Sequence, residues 1–497
     1  MLKGSLSIFT SMILASVLIL LLTMAECVRI YTLQDLSQEY VNEAAESAFS
    51  EYNPYLWANY GILAVDFAYG SDTVGPSVME SRALGYCGTN ASVDTGYNYT
   101  RLTPELCQIS NYSLLTDNSG EAVIMLGSKY AMEGLPAQLL DGITTNLDLL
   151  NNIEEMDVES EISKGTKDLN DAKDANQKAK DDADSDDDPD TSSADYPDPG
   201  EVEDNPLDAF SAIKESFSKG VLSTVIQKDV ALSEETVELD ELPSYRELSQ
   251  GTMESTVSNN IVDKALFIDY LLNTYSYYGQ DRGHDGLDYE IEYLIGENES
   301  DSQNLASVVE RILLVREAAN YTTILRCEDL KLEAAAVAEI LAGFTMNPAI
   351  IQAVKYAIIG AWAYAESTLD LRLLLDGGKV PAIKTREQWT TDVWHLSAIV
   401  DVGNKAKESS TGLTYKDYLM GMLAIKTNAS LGLACCDIME NALNATGDYA
   451  NVKLDNMTYA ADISITFSAK EMFLSIFSEA PNLEGNYNIT KHKLLTY

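Results

Sequence analysis

The side chains that most often perform chemistry are sparse and scattered in this sequence. Its three histidines, His284, His395 and His492, are far apart, and none has a metal-ligand partner at a typical spacing. The sequence has no nucleophile elbow, no phosphate-binding loop and no HExxH motif. We therefore expect no cofactor and no enzymatic activity, and a cell-surface hydrolase is the least favoured function.

The six cysteines also lack a functional pattern, since no pair has the CxxC spacing of a zinc or redox site. Cys87 and Cys107 enclose 19 residues and are a possible disulfide pair. Cys435 and Cys436 are adjacent, so a bond between them would be strained and burial as thiols is favoured.

The charge balance excludes some partners. The chain has 33 basic and 78 acidic residues, a net charge of −45, which argues against binding to nucleic acid or to anionic lipid surfaces. Residues 154–204 alone contain 20 acids and 5 bases. Such a segment buries too little apolar surface to offset its ordering entropy, so the sequence predicts an acidic helix tip followed by a disordered linker.

The first 49 residues are the element most able to position the rest. Residues 5–25 carry no charge and are long enough to cross a hydrocarbon core of roughly 30 Å. No proline or glycine follows until Pro54, and apolar residues recur at helical spacing. The pattern predicts one helix that leaves the lipid bilayer and enters a soluble domain, presenting a stripe of Leu33, Leu36, Tyr40, Ala44 and Ala48.

The charges that flank this stretch give its orientation. Lys3 precedes it, and acidic residues soon outnumber Arg29 after it, so we expect a short cytoplasmic N-terminus and a large extracellular domain on a single-pass anchor in the cell membrane. A cleaved signal peptide and a lipoprotein modified at Cys27 are alternatives. The long apolar run and the presence of Glu26, rather than a small residue, before Cys27 favour the retained anchor.

The rest of the chain predicts an α+β, predominantly helical fold. Alternating patterns near both ends predict strands, and helical patterns dominate between them. We expect a helical bundle plus an antiparallel sheet built from N- and C-terminal strands, which covers residues 30–50 of the first helix. The predicted strands are 62–69, 109–116, 457–467 and 487–497, residues 80–108 read as irregular, and further helices are expected at 121–183, 386–406, 414–428 and 430–443.

Residues 348–375 are apolar on nearly every side and invite comparison with a membrane span. Lys355 lies within the run and further charges follow it, which favours a buried core helix. The expected domain organisation is a leader at 1–4, a transmembrane helix at 5–25, a first extracytoplasmic part at 26–153, the acidic tip and linker at 154–204, a helical region at 205–446 and C-terminal strands at 447–497.

Several stretches resemble known membrane proteins. GSLSIF at 4–9 and ECVRIY at 26–31 resemble the anchor of TadE/TadG-like pseudopilins. The rest resembles an uncharacterised family of Gram-positive membrane proteins encoded near Tad (Flp-type) pilus genes. That resemblance rests on EYNPYL at 51–56, LDYEIEYL at 287–294, LVREAAN at 314–320, AWAYAE at 361–366 and GKVPAIKT at 378–385.

The resemblance implies a component or accessory of a pilus or secretion assembly, with other assembly subunits as partners. It places a possible processing site between Gly4 and Ser5. Pilins usually carry a glutamate five residues after that glycine, and Phe9 stands at that position here. Glu26 is either an assembly residue or the intrahelical partner of Arg29, three positions away. The alternative function is an exported binding or adhesion module that uses the helix only as an anchor.

Overall fold

A computed structural model of the chain describes residues 2–92, 100–134, 158–185, 198–200, 202, 204–218, 220–253, 261–400, 402–473 and 486–497. Most of these residues are helical and a small antiparallel sheet accompanies them, which confirms the α+β class. The chain divides into two compact units. The sheet unit comprises Met1–Tyr130, Asp240–Asn260 and Asn428–Tyr497, and the helical unit comprises Ala131–Leu239 and Ile261–Thr427.

The α-helices of the described residues are α1 Leu2–Phe49, α2 Pro54–Tyr60, α3 Ser77–Ala91, α4 Asp117–Gly134, α5 Val158–Ser185, α6 Pro206–Ser218, α7 Val221–Val225, α8 Ile261–Thr274, α9 Glu290–Gly296, α10 Asp301–Arg326, α11 Glu328–Ala342, α12 Pro348–Leu375, α13 Tyr415–Ile425 and α14 Asn428–Ala445. The strands are β1 Val65–Asp66, β2 Leu102–Leu114, β3 Met457–Lys470 and β4 Asn486–Thr496.

Helix α1 is continuous, as the lack of proline and glycine after its first turn predicts. Its apolar side chains between Leu6 and Met24 are mostly exposed, whereas Leu33 and Val41 farther along are buried. Within the described part of the chain, α1 is the one helix that by itself is long and apolar enough to cross a membrane. These features indicate a single-pass anchor that is continuous with the folded domain.

Strand β3 is the centre of the sheet and pairs antiparallel with β1, β2 and β4. Strands β2 and β4 pair with the same part of β3 and therefore lie on its two sides. In this register Ile465 lies opposite Cys107 of β2 and Lys491 of β4. Because side chains alternate between the faces of a strand, Ile463, Ile465 and Phe467 share the buried face.

The core of the sheet unit joins α1 to strands from both ends of the chain. Val41 and Ala44 of α1 belong to the same buried cluster as Val65, Ile109 and Ile463 of the sheet. This packing confirms the prediction that strands cover residues 30–50. The buried apolar surface stabilises the sheet against the helix, at about 25 cal/mol per Å².

Two local predictions in the sheet unit are wrong. Residues 62–69 contain only the short strand β1, because the Asp66 carboxylate accepts hydrogen bonds from the N–H groups of Ala68 (2.9 Å) and Gly70 (2.7 Å) and turns the chain. The described parts of 80–108, residues 80–92 and 100–108, are not irregular, since they contain most of α3 and the start of β2. One face of α3 is buried, and this burial outweighs the low helix propensity of the glycines in the helix. The buried residues of that face are Met79, Ala83, Cys87 and Ala91.

The helical unit is organised around α12, which is buried continuously from Ala357 to Leu374. Helices α5, α6, α10 and α11 pack against it. This environment confirms the prediction that residues 348–375 form a core helix and not a second membrane span. Residues 386–406 contain only a short 3₁₀ turn, Leu396–Val400, in place of the predicted helix. Side-chain contacts to α12 hold the loop before that turn.

The acidic segment is packed over more of its length than expected. Leu169 of α5 is buried, and Gly165 approaches α12 so closely that a Cβ there would lie 2.4 Å from the Ala353 carbonyl oxygen. A solvated tip therefore begins only after Leu169, because the apolar stripe extends that far. Residues 186–197 of the predicted linker and the helical residues predicted at 135–157 lie outside the described residues.

Helices α13 and α14 confirm the predictions for 414–428 and 430–443 to within a few residues. Helix α14 belongs to the sheet unit, so the division near Asn428 differs from the expected boundary at residue 446. Gly432 of α14 packs directly on the backbone at Gly120, where a Cβ on either glycine would lie within 2.5 Å of the opposing chain. This close contact between two glycine backbones explains why α14 packs in the sheet unit.

Candidate functional site

The junction between the apolar part of α1 and the sheet is built on a buried ion pair. Arg29 Nη1 donates to Glu26 Oε1 at 2.7 Å, one helical turn apart. Glu26 is 1% exposed and Arg29 is 9% exposed. This geometry matches the interpretation of Glu26 as the intrahelical partner of Arg29. Because both side chains are buried, loss of either one would destabilise the fold far more than loss of a member of a surface pair with the same spacing.

Both members of the pair also bind distant backbone. Arg29 Nη2 donates to the carbonyl oxygens of Thr100 (2.5 Å) and Lys470 (2.9 Å), at the start of β2 and the end of β3. Glu26 Oε2 accepts from the N–H groups of Phe473 (2.7 Å) and Met472 (3.3 Å). The pair therefore fixes α1 to the end of the sheet where the exposed apolar stretch stops.

The other candidate residues of α1 are not brought to this junction. Gly4 and Ser5 lie in the first turns of the helix, and Phe9 is 60% exposed. At 1.5 Å per residue, Phe9 lies about 25 Å along the axis from Glu26. Processing between Gly4 and Ser5 remains a prediction.

Cys87 of α3 and Cys107 of β2 lie in the same buried cluster, and the structure has both as free cysteines. Burial raises the pKa of each thiol to about 12. Their proximity in one core is compatible with the disulfide expected from the sequence, which remains a prediction.

If the two thiols are reduced in the native protein, we expect them to resist iodoacetamide at pH 8, because a buried thiol with a pKa near 12 is almost entirely protonated. Peptide mass spectrometry before and after unfolding in denaturant measures this. Rapid labelling of Cys87 in the folded protein would contradict it. Labelling that requires both denaturant and a reductant would instead establish the disulfide.

The helical unit contains a network of fully buried charges. Arg316 of α10 donates to Asp370 of α12 through Nη2 (2.8 Å) and Nε (3.0 Å). Lys384, in the loop after α12, contacts both Asp370 and Glu366. Asn320 Nδ2 also donates to Asp370 Oδ2 at 2.8 Å. Burial alone would raise the pKa of Asp370, but the adjacent Arg316 and Lys384 lower it overall.

This network holds a loop on the core helix. The Glu366 carboxylate accepts from the N–H groups of Thr390 (3.1 Å) and Thr391 (2.8 Å). Two acids and two bases balance in charge, and their side chains are almost completely enclosed. The arrangement positions backbone and offers no exposed group to a substrate.

A second buried cluster surrounds Glu292 of α9. Its Oε1 accepts from the Tyr415 hydroxyl (2.6 Å) and the Tyr278 N–H (3.0 Å), while Oε2 has no hydrogen-bond partner within the described part of the chain. Burial raises the pKa of Glu292 to about 7, even though both donors oppose the shift. Nearby, the Glu290 carboxylate contacts the His284 ring at 2.9 Å. No group of three potential metal ligands occurs among the residues that the structure describes.

The Glu292 carboxyl makes the stability of the helical unit depend on pH. Its pKa rises from 4.5 in the unfolded chain to about 7 in the folded protein, so the folded protein holds this proton more tightly. The resulting contribution to the free energy of unfolding is complete below pH 4.5 and is lost as the pH rises through about 7. The total loss is roughly 3 kcal/mol at 1.36 kcal/mol per pKa unit. We expect Glu292→Gln to remove this slope, as measured by chemical unfolding from pH 4.5 to 8.

The matched control is Glu310→Gln, which changes an exposed carboxylate on α10. That variant should retain the wild-type dependence on pH. An unchanged slope in Glu292→Gln would show that this carboxyl ionises in the folded protein as it does in the unfolded chain.

The sequence reasoning missed the buried network of Arg316, Glu366, Asp370 and Lys384. A signal was present, because acidic residues interrupt an otherwise apolar helix at Glu366 and Asp370, and such charges are almost always paired when buried. Pairing with Lys384 depends on the loop after α12, which local periodicity does not predict.

Comparisons with known proteins extend this description. A family model, described as a family of unknown function (DUF5702), matches residues 198–469, more than half of the chain. No curated protein and no solved structure matches this chain. The matched region includes both buried clusters of the helical unit and nearly all of β3, whereas α1 with Glu26 and Arg29 precedes it.

Proposed function

This chain belongs to the DUF5702 family of unknown function, and we propose that it is a pseudopilin-like component or accessory of a Tad/Flp-type pilus or secretion assembly. In this proposal α1 crosses the cell membrane once, with a short cytoplasmic N-terminus and a large extracellular domain. Its partners are the lipid bilayer and other assembly subunits, and it catalyses no reaction.

The observation that carries the proposal is the continuity of α1 from its exposed apolar half into the core of the sheet. The same helix presents Leu6 to Met24 on its surface and buries Leu33 and Val41 against the domain. An antiparallel sheet packed on the outer half of an apolar N-terminal helix suits subunits that associate through their membrane halves. The ion pair at Glu26 and Arg29 stiffens the connection.

The orientation in the proposal follows from the flanking charges. Lys3 lies before the apolar stretch, and Asp35, Glu39 and Glu43 follow Arg29. Basic residues favour the cytoplasmic side of a span, and the acidic domain is consistent with export.

Copurification from the native host tests the proposal. The tagged full chain is extracted in mild detergent, and an unrelated single-pass protein with the same tag is the control. We expect the Tad ATPase or its membrane platform protein to copurify with this chain and not with the control. Absence of both proteins in repeated extractions would rule out the assembly role.

The N-terminus of the native protein separates a filament subunit from an accessory. Cleavage before Ser5, with methylation of the new terminus, supports entry into a filament. A retained Met1 supports an accessory that stays in the membrane. Intact-mass and N-terminal peptide spectra distinguish the two.

An exposed aromatic cluster favours the second candidate function, an exported binding or adhesion module. Trp57 is 39% exposed and makes edge contacts with Tyr52 and Tyr130, which are exposed to a similar degree. Aromatic residues of this kind are common at recognition surfaces. Loss of cell attachment to surfaces in Trp57→Ala, with unchanged copurification, would support this function over the assembly role.

A further inference from the structure

An apolar groove with a volume of about 570 Å³ opens beside α1 where the exposed apolar stretch ends. One wall is formed by Met24, Val28 and Leu33 of α1, and the other by Met472 and Phe473. Glu26 accepts hydrogen bonds from the N–H groups of Met472 and Phe473. The buried ion pair of the junction therefore holds the second wall in place.

The exposed face of α1 remains apolar beyond Ala25, where the uncharged stretch ends. Val28 is 67% exposed and Tyr31 is 73% exposed. Together with Met24 they follow the i, i+4, i+7 spacing of one helical face, which extends about 10 Å past Met24. The headgroup layer on each side of a bilayer is of similar depth, at roughly 5–8 Å, and tyrosine is typical of that level. With residues 5–25 in the hydrocarbon core, the groove lies at the height of the lipid headgroups.

Arg29 lines the groove and has a donor that is not used. Its Nε is buried and has no hydrogen-bond partner among the described groups, although Nη1 and Nη2 are bonded. A buried unsatisfied donor costs about 1–3 kcal/mol, and more when the group is charged. Arg101 and Lys470 also lie at this end of the sheet, together with the acidic residues Glu26 and Glu471, so the charges around Arg29 are mixed.

We propose that this groove binds one glycerophospholipid from the surrounding bilayer. An acyl chain lies against Val28, Met472 and Phe473, and a phosphate or ester oxygen accepts a hydrogen bond from Arg29. The inference rests on the membrane anchorage in the proposed function, but not on the pilus assembly.

The unused donor favours a lipid over a second copy of α1. Residues 5–25 contain no acidic side chain, so the apolar stretch of another copy presents no charged acceptor to Arg29. A phosphate provides a charged acceptor that pairs well with a guanidinium. The groove is also continuous with the surface that faces the bilayer.

Native mass spectrometry of the full chain, extracted from membranes in mild detergent, tests the inference. We expect the wild-type protein to retain one phospholipid per chain. Val28→Asp should reduce that fraction at least fivefold by placing a carboxylate in the groove. Val74→Asp is the matched control, since Val74 is 75% exposed in the sheet unit and does not line the groove. That variant should retain lipid as the wild type does.

Carbonate extraction of membranes separates this inference from the proposed function. Release of the wild-type chain into the soluble fraction would refute anchorage itself. A chain that stays in the membrane but retains no lipid, retains it equally in Val28→Asp, or retains a second copy of itself in its place would overturn the lipid site alone.

Crosslinking gives a readout that does not depend on any variant. A phospholipid with a diazirine in its acyl chain is added to the wild-type protein in bilayers and activated by light. We expect adducts on peptides that contain Val28 or Met472 and Phe473. Adducts confined to residues before Met24 would contradict the inference.

Discussion

Replacing Arg316 with methionine is expected to lower the free energy of unfolding of the helical unit by about 3–5 kcal/mol. The change leaves Asp370 in a site with no solvent exposure and with Lys384 shared between two carboxylates. Removing one member of a buried ion pair typically has a cost of this size, because the remaining charge is neither solvated nor paired. Denaturant unfolding followed by tryptophan fluorescence measures the loss, since Trp362 and Trp389 lie in the same unit.

Arg311→Met on the same helix is the matched control, because Arg311 is exposed. It should change the free energy of unfolding by less than about 0.5 kcal/mol. In the double variant Arg316→Met with Asp370→Asn, Lys384 and Glu366 remain as a neutral pair. We expect this variant to recover part of the loss. A change below about 1 kcal/mol in Arg316→Met would contradict the account of a paired, buried network.

Replacing Arg29 with methionine is expected to destabilise the junction by about 3–5 kcal/mol. The variant leaves Glu26 buried without its cation and frees the carbonyl oxygens of Thr100 and Lys470. Hydrogen exchange should become faster in the first residues of β2 and the last residues of β3, while the centre of the sheet keeps its protection. The apolar half of α1 is unchanged, so the chain should remain in the membrane fraction.

Arg82→Met provides the comparison for this prediction. Arg82 also pairs with a glutamate, Glu51, but its side chain is 43% exposed. An exposed pair contributes about 0–1 kcal/mol, so this variant should leave exchange near the junction unaltered. If the two variants had equal effects, burial of the Glu26 and Arg29 pair would not be the reason for its strength. Loss of assembly partners in Arg29→Met with membrane retention would further link rigidity to the proposed function.

The features that the sequence predicted well are those encoded locally and over many residues. The long helix α1, the buried helix α12 and the alternating strand β3 each repeat their hydrophobic pattern for ten residues or more. A pattern of that length indicates the type of secondary structure without reference to tertiary contacts. Helix α3 was not predicted because its glycines disfavour a helix and because its buried stripe contains small residues, Ala83 and Cys87, which give a weak hydrophobic pattern. Strand β1 was predicted too long because the hydrogen bonds of Asp66 depend on the details of one turn.

The junction was predictable only in part. The spacing of Glu26 and Arg29 indicates their pairing, but nothing local indicates that Arg29 reaches Lys470, which is 441 positions away. The buried network of the helical unit shows the same limit. Three of the stretches that carried the family resemblance, 314–320, 361–366 and 378–385, supply Arg316, Glu366 and Lys384 to it. Their spatial meeting requires the packing of α10 on α12.

Because α1 is continuous, the sheet unit has a fixed rotation about the helix axis relative to the apolar half of α1. With 3.6 residues per turn, each residue between the apolar stretch and Leu33 turns the domain by about 100° around the helix axis and raises it by about 1.5 Å. A flexible linker would average such differences away. In the proposed assembly, the number of residues between Met24 and Leu33 would therefore determine which side of the sheet unit faces a neighbouring subunit in the same membrane.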